Sequence, residues 1–208
     1  MKLILASVSL CLCGVAFSAD TIDRIAVSVG NRIITTSELD RQIRVSAFLS
    51  GTKPDFSPAA RRAMAGRMVE HKLLESEIET THSAAPDTAA VETALADFRK
   101  RYFHSDDEYR RALAGAGLSE QDLRDELLEE RALNAFIEVR FHPAVEVTEQ
   151  DIQNYYRQNL AGKGMELPQV RQQIERILVD QGADREVDTW LREARRRTQI
   201  VYHDEAFQ

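Results

Sequence analysis

The stretch Ile25-Ala26-Val27-Ser28-Val29-Gly30-Asn31-Arg32-Ile33-Ile34-Thr35 decides the fold. Two β-rich runs flank the turn pair Gly30-Asn31, the pattern of a tight hairpin. A lone two-stranded hairpin is marginal in water, so this one needs a further partner. Among the remaining residues only Gln199-Ile200-Val201-Tyr202 has β character, and it lies at the far end of the sequence. The economical solution pairs Ile200–Tyr202 with the hairpin, ties the two ends together and places Ile25, Val27 and Ile33 under apolar cover. The expected class is mainly α: a multi-helix core with a small β-sheet formed by an N-terminal hairpin and a C-terminal strand, one closed unit rather than two strung domains.

Working outward from the hairpin, cap residues and apolar spacing mark the helices. Ser37 is placed to cap a helix carrying Leu39, Ile43 and Ala47 four apart. Ser57-Pro58 sets a cap before a first-turn proline, and Met64, Met68, Leu73, Leu74 and Ile78 follow to about Thr80. Asp87 can cap a helix with Val91, Leu95, Phe98 and Tyr102 on one face. Ser105 to Glu108, Ser119 to Asp122 and Thr148 to Asp151 have the shape of capping boxes, each opening a further helix. Gly115 and Gly117 end the first of these, and His142-Pro143 stops the second. A last long helix begins near Pro168 and runs to about Arg197, with Gly182 expected to bend it because the apolar face shifts there.

Composition bounds the function. The chain has 208 residues, 43% apolar and 29% charged, with a net charge of −7. That content suits a folded, helix-rich globular chain and argues against a polytopic membrane protein or full disorder. An acidic balance also excludes ordinary nucleic-acid binding, which needs a basic face.

Residues 1–19 read as an export signal, leaving 20–208 as the folding unit. Lys2 precedes the uncharged run Leu3 to Val15, and Ala16-Phe17-Ser18-Ala19 offers small residues for cleavage near Ser18 or Ala19. The apolar run is too short to span a bilayer comfortably, so no stable membrane insertion is expected after cleavage. Both cysteines, Cys11 and Cys13, fall inside this segment behind Leu10 and Leu12, which is unsuitable for lipid attachment. The mature chain is then free of thiols, disulfides and cysteine metal sites.

The search for chemistry returns little. His71, His82, His104, His142 and His203 form no HExxH motif and no typical zinc spacing. His71 and Glu75 stand one helical turn apart, better read as a surface pair than as metal ligands. Asp106-Asp107-Glu108 lacks the alternation of a calcium loop and reads as a helix start favoured by the dipole. Glu129-Glu130 is read as a polar helix face, and Arg195-Arg196-Arg197 as a helix C-terminus stabilised by cations. No nucleophile elbow, phosphate loop or dinucleotide fingerprint occurs. No catalytic residue, cofactor or metal is therefore assigned.

Several segments together resemble the SurA-type periplasmic chaperones, whose relatives include parvulin-domain foldases. The opening Ile22 to Asp40, with its strand, turn and Ser-Glu-Leu-Asp helix start, is similar to the family's beginning. So are Arg67 to Leu74 through Tyr109 to Leu113, and Gly117 to Ile152. Gln173 to Leu178, followed by Trp190-Leu191 and Ile200 to Tyr202, looks like its closing helix and strand. In these chaperones the isomerase domains stand between the last two helical segments; here only Ala161 to Leu167 joins them, and no Gly-Gly-Asp-Leu-Gly signature occurs.

The resemblance implies an ATP-independent periplasmic holdase, not an enzyme, that binds unfolded or partly folded exported polypeptides, outer-membrane barrel precursors among them. Alternatives are a parvulin-family prolyl isomerase relative and a dedicated envelope adaptor or structural protein, with a homodimer as a candidate assembly. Flexible methionines suit varied clients. Met64, Met68, Phe103, Tyr109 and Met165 are the candidate client-binding residues, each in competition with simple burial in the core.

Overall fold

The computed structural model describes residues 23–81 and 88–208. The export signal and the Asp87 cap lie outside these residues. The hairpin forms as β1 (Ile25–Val29) and β2 (Arg32–Thr35), turning through Gly30, whose φ of 59° is in the left-handed region glycine tolerates. Seven α-helices follow among the described residues: α1 (Thr36–Ser50), α2 (Pro58–Thr81), α3 (Thr88–Tyr102), α4 (Asp106–Ala116), α5 (Glu120–Arg140), α6 (Glu149–Asn159) and α7 (Leu167–Arg197). The chain closes with β3 (Ile200–Tyr202) and a 3-10 turn over Asp204–Phe207.

β3 pairs antiparallel with β1, giving the sheet order β2-β1-β3. The expected union of the two ends is therefore present, but its register corrects which residues it covers. Val27 stands opposite both Ile34 and Tyr202, and this row faces the helices, with Val27 and Ile34 fully buried. Ser28 stands opposite Ile33 and Val201, a row that faces outward, so Ile33 is 49% exposed instead of covered. A register shift between Ile25 and Val27 buries Ala26 and Val27 in succession and leaves Ile25 41% exposed. One extra residue in a strand moves everything before it to a different face.

Local chemistry starts the helices. α1 is capped not by Ser37 but by Thr35, whose hydroxyl accepts the Glu38 amide while the Glu38 carboxylate accepts the Thr35 amide at 2.8 Å. Ser37 instead donates its amide to Asp23 at 3.1 Å, and hydrogen bonds from Ser37 and Thr35 hold the Asp23 carboxyl below its usual range. Complete capping boxes open α5 at Ser119 and α6 at Thr148. At α4 the box is displaced: Ser105 accepts the Glu108 amide, but Glu108 accepts from His104, one residue earlier. Gly117 exits α4 with φ 66°, while Gly115 stays inside the helix.

α7 passes through Gly182 as one helix, and the glycine has a packing role there. Its reason is close approach: a Cβ there would lie 2.3 Å from Cγ1 of Val145, in the segment leading to α6. The apolar face of α7 changes partner at this point. Beyond Gly182, Ala183, Val187, Leu191 and Ala194 join the main core with the inner sheet face, α2 and the end of α5. Before it, Val170 and Ile174 pack with Ile152 of α6 as a separate cluster. A third cluster joins Val45 of α1 to Val91, Leu95, Tyr109, Leu113 and Leu123 from α3, α4 and the start of α5. Each fully buried aliphatic side chain contributes about 1.5–3 kcal/mol.

Candidate functional site

α1, α2 and α5 do not close completely on one another, and an open groove of about 490 Å³ lies between them. Each helix lines it by ordinary helical spacing. α1 contributes Gln42, Ser46 and Leu49; α2 contributes Met64, Arg67, Met68, His71 and Leu74; α5 contributes Glu126, Glu130, Leu133 and Ile137. The floor is apolar: Met64, Leu74 and Leu133 are buried, while Met68 and Ile137 are half-buried against the core. The mouth is polar, with Arg67 and Glu130 exposed.

The polar residues pair across helices. His71 donates Nδ1–H to Oε1 of Glu129 on α5 at 2.9 Å. That hydrogen bond raises the His71 pKa against the opposing effect of burial, and it lowers the Glu129 pKa. Glu126 accepts from Gln42 of α1, yet burial still pushes its carboxyl above the usual range. Glu75, one turn from His71 on α2, pairs with Lys72 at 2.9 Å and with Arg32 at 3.3 Å. Among the described residues no group of three His, Cys, Asp or Glu side chains is placed to hold a metal ion.

The five sequence candidates are dispersed. Met64 and Met68 stand together in the groove, although Met64 is only 5% exposed and is also core. Phe103 and Tyr109 belong to an aromatic cluster under α3 and α4, their ring centroids 5.2 Å apart, with Phe48 stacked on Phe103 at 6.0 Å. Tyr109 is 2% exposed, with Arg99 above its ring at 4.8 Å, so it presents almost no surface to a client. Met165 sits apart at the α6–α7 turn, 37% exposed, its carbonyl accepting the Tyr156 hydroxyl at 2.6 Å. Gln42, His71 and Glu126 were not anticipated as neighbours of the methionines. Periodicity places each on its helix but is silent on which helices face each other.

The groove is thus an open apolar trough with Met68 half-buried in it, Met64 beneath, and a polar rim. No protein family model matches the chain. It is similar to the Chaperone SurA of Pseudomonas fluorescens Pf-5, 24% identical over 147 residues that cover 69% of this chain and 34% of that protein. The Chaperone SurA of Pseudomonas putida KT2440 is likewise 24% identical, over 143 residues covering 67% of this chain and 33% of the relative. The matched stretch thus spans about a third of the length of these curated relatives. Among the described residues no helix is long and apolar enough to cross a membrane.

Proposed function

We propose that this chain is an ATP-independent chaperone of the cell envelope that holds exported polypeptides, outer-membrane barrel precursors among them, before they fold. The observation that carries this reading is the half-buried Met68 in an open apolar groove between α1, α2 and α5. Thioether side chains adapt to many partners, which a holdase with varied clients requires. The similarity to two SurA chaperones supports the same class. Export rests on the leader-like residues 1–19. The role is read as binding without prolyl isomerisation, supported by the direct passage from α6 to α7 through residues 160–166.

The test is suppression of aggregation of an unfolded outer-membrane barrel protein without nucleotide, beside a prolyl-isomerisation assay on a peptide. Slowed aggregation with isomerisation at its spontaneous rate, tens to hundreds of seconds, is expected. Saturable acceleration of isomerisation would refute the non-catalytic reading, and no slowing of aggregation for any of several unrelated clients would favour a dedicated adaptor. Met68 is the informative position. Met68→Asn should weaken client holding several-fold while Tm moves by no more than about 4 °C, the equivalent of about 1 kcal/mol at this size. Met64 is too buried to serve, since truncating a buried methionine itself costs about 2–5 kcal/mol.

A further inference from the structure

The small sheet has a feature that the groove does not account for. β3 is an edge strand. The Gly30 amide donates to the Gln199 carbonyl at 2.8 Å and the His203 amide to the Ala26 carbonyl at 3.0 Å, which fixes the alternation of the β1–β3 ladder. Residues 199, 201 and 203 therefore bond to β1, and the main-chain N–H and C=O groups of Ile200 and Tyr202 turn away from it, toward the open edge. The outward face beside this edge is apolar for its size. Of six large hydrophobic residues exposed among the described ones, Ile25, Ile33 and Val201 all belong to this one sheet. Ile33, Ser28 and Val201 form a continuous row across its strands, ending at the free edge.

We propose that the β3 edge takes up an extended polypeptide segment as a fourth strand, bonded main chain to main chain at Ile200 and Tyr202. This assignment rests on the chaperone reading, since the occupant is a segment of non-native client. Main-chain bonding is indifferent to sequence, and the row ending at Val201 adds a preference for an apolar side chain on the outer face at alternate positions. A second copy is the weaker occupant. A strand of three residues spans only about 10 Å. An edge so short buries far less than the roughly 1,200 Å² a stable interface needs. Exchangeable capture of an extended segment fits so small a contact.

The experiment is amide hydrogen exchange on the full chain, with the capped peptide Lys-Thr-Val-Thr-Val-Thr-Lys as probe. The control is the same peptide N-methylated at two adjacent central residues, which blocks both of its edges and keeps its side chains. With the probe at about ten times its Kd, exchange at Ile200 and Tyr202 should slow about tenfold. The N-methylated control should leave it unchanged. Ile200→Pro removes an outward amide that makes no ladder bond and is tolerated at an edge, so it should abolish protection at Tyr202, whereas Ile200→Ala, which loses the same half-buried side chain from the core but keeps the amide, should retain it. Equal protection by the methylated peptide, or protection confined to the groove helices, would overturn the proposal. So would protection without peptide that grows with protein concentration and doubles the sedimenting mass, which would assign the edge to a second copy. Aggregation suppression with no protection at the edge would sink this proposal and leave the chaperone reading standing; edge protection without aggregation suppression would do the reverse.

Discussion

Replacing Gly182 by alanine sets two physical effects against each other. Within a helix alanine is favoured over glycine by about 1 kcal/mol, so propensity alone predicts a more stable protein. The packing predicts the opposite. An added Cβ would lie 2.3 Å and 2.9 Å from the two methyls of Val145 and 3.2 Å from its Cβ, so either Val145 or α7 must move. Overpacking of a well-filled site costs about 1–3 kcal/mol. The net expectation for Gly182→Ala is destabilisation of about 1–2 kcal/mol, toward the costly end because Val145 itself has to give, not just a flexible chain end. In a chain of this size that lowers Tm by about 2–8 °C. Thermal unfolding of wild type, Gly182→Ala, Val145→Ala and the double variant closes a cycle. The double variant should be more stable than the two single losses added together, by about 1 kcal/mol or more. A Tm that rises in Gly182→Ala would refute the close-packing account and restore the reading of Gly182 as a mere helix irregularity.

Other consequences are open to measurement. Removing residues 199–208 takes away the partner of β1 along with Phe207, which is 2% exposed in the main core, and should markedly lower Tm; an unchanged melting curve would mean the third strand contributes nothing. Thr35→Ala deletes the acceptor of the Glu38 amide and should cost about 1 kcal/mol, whereas Thr35→Ser should be close to neutral in the same melt. His71 has a raised folded-state pKa, chiefly through Glu129, so its contribution is complete below the ordinary value of 6.5 and fades as pH rises through the folded value. Tm measured across that window should fall in wild type and fall less in His71→Gln. Glu129, lowered by the same hydrogen bond, stabilises above its ordinary range and loses that effect in acid, so Glu129→Gln should flatten the acid limb of the same profile.

What could be read from the sequence was local. The Gly30-Asn31 turn, the Ser119 and Thr148 boxes and the Ser57-Pro58 start are each determined within a few residues, and all stand where the pattern puts them. The union of Ile200–Tyr202 with the hairpin was legible for a different reason, because a marginal hairpin demands a partner and the sequence offers one candidate; that β1 is the strand it joins was not. Errors arose where a distant neighbour decides. Ser37 lost the cap to Thr35 because Asp23 engages it from before the sheet. The packing role of Gly182 was hidden because it depends on Val145, and Ile33 resembled core because only the register tells which face is inside. The groove was half visible: Met64 and Met68 share one helix, but the His71–Glu129 pair that borders them crosses from α2 to α5.

The seam between β1 and β3 also has a consequence in time. Ser28 and His203 share a hydrogen bond although 175 positions separate them. Closing so long a loop is paid for in chain entropy before any contact rewards it, and such pairings form late. During synthesis, all seven α-helices among the described residues can emerge while β1 still waits for residues 200–203. The free side of β1 and the core site that Phe207 fills therefore stay open until residues 200–207 arrive. Arrival of residues 200–207 acts as the latch on the fold, and until then β1 keeps an open side.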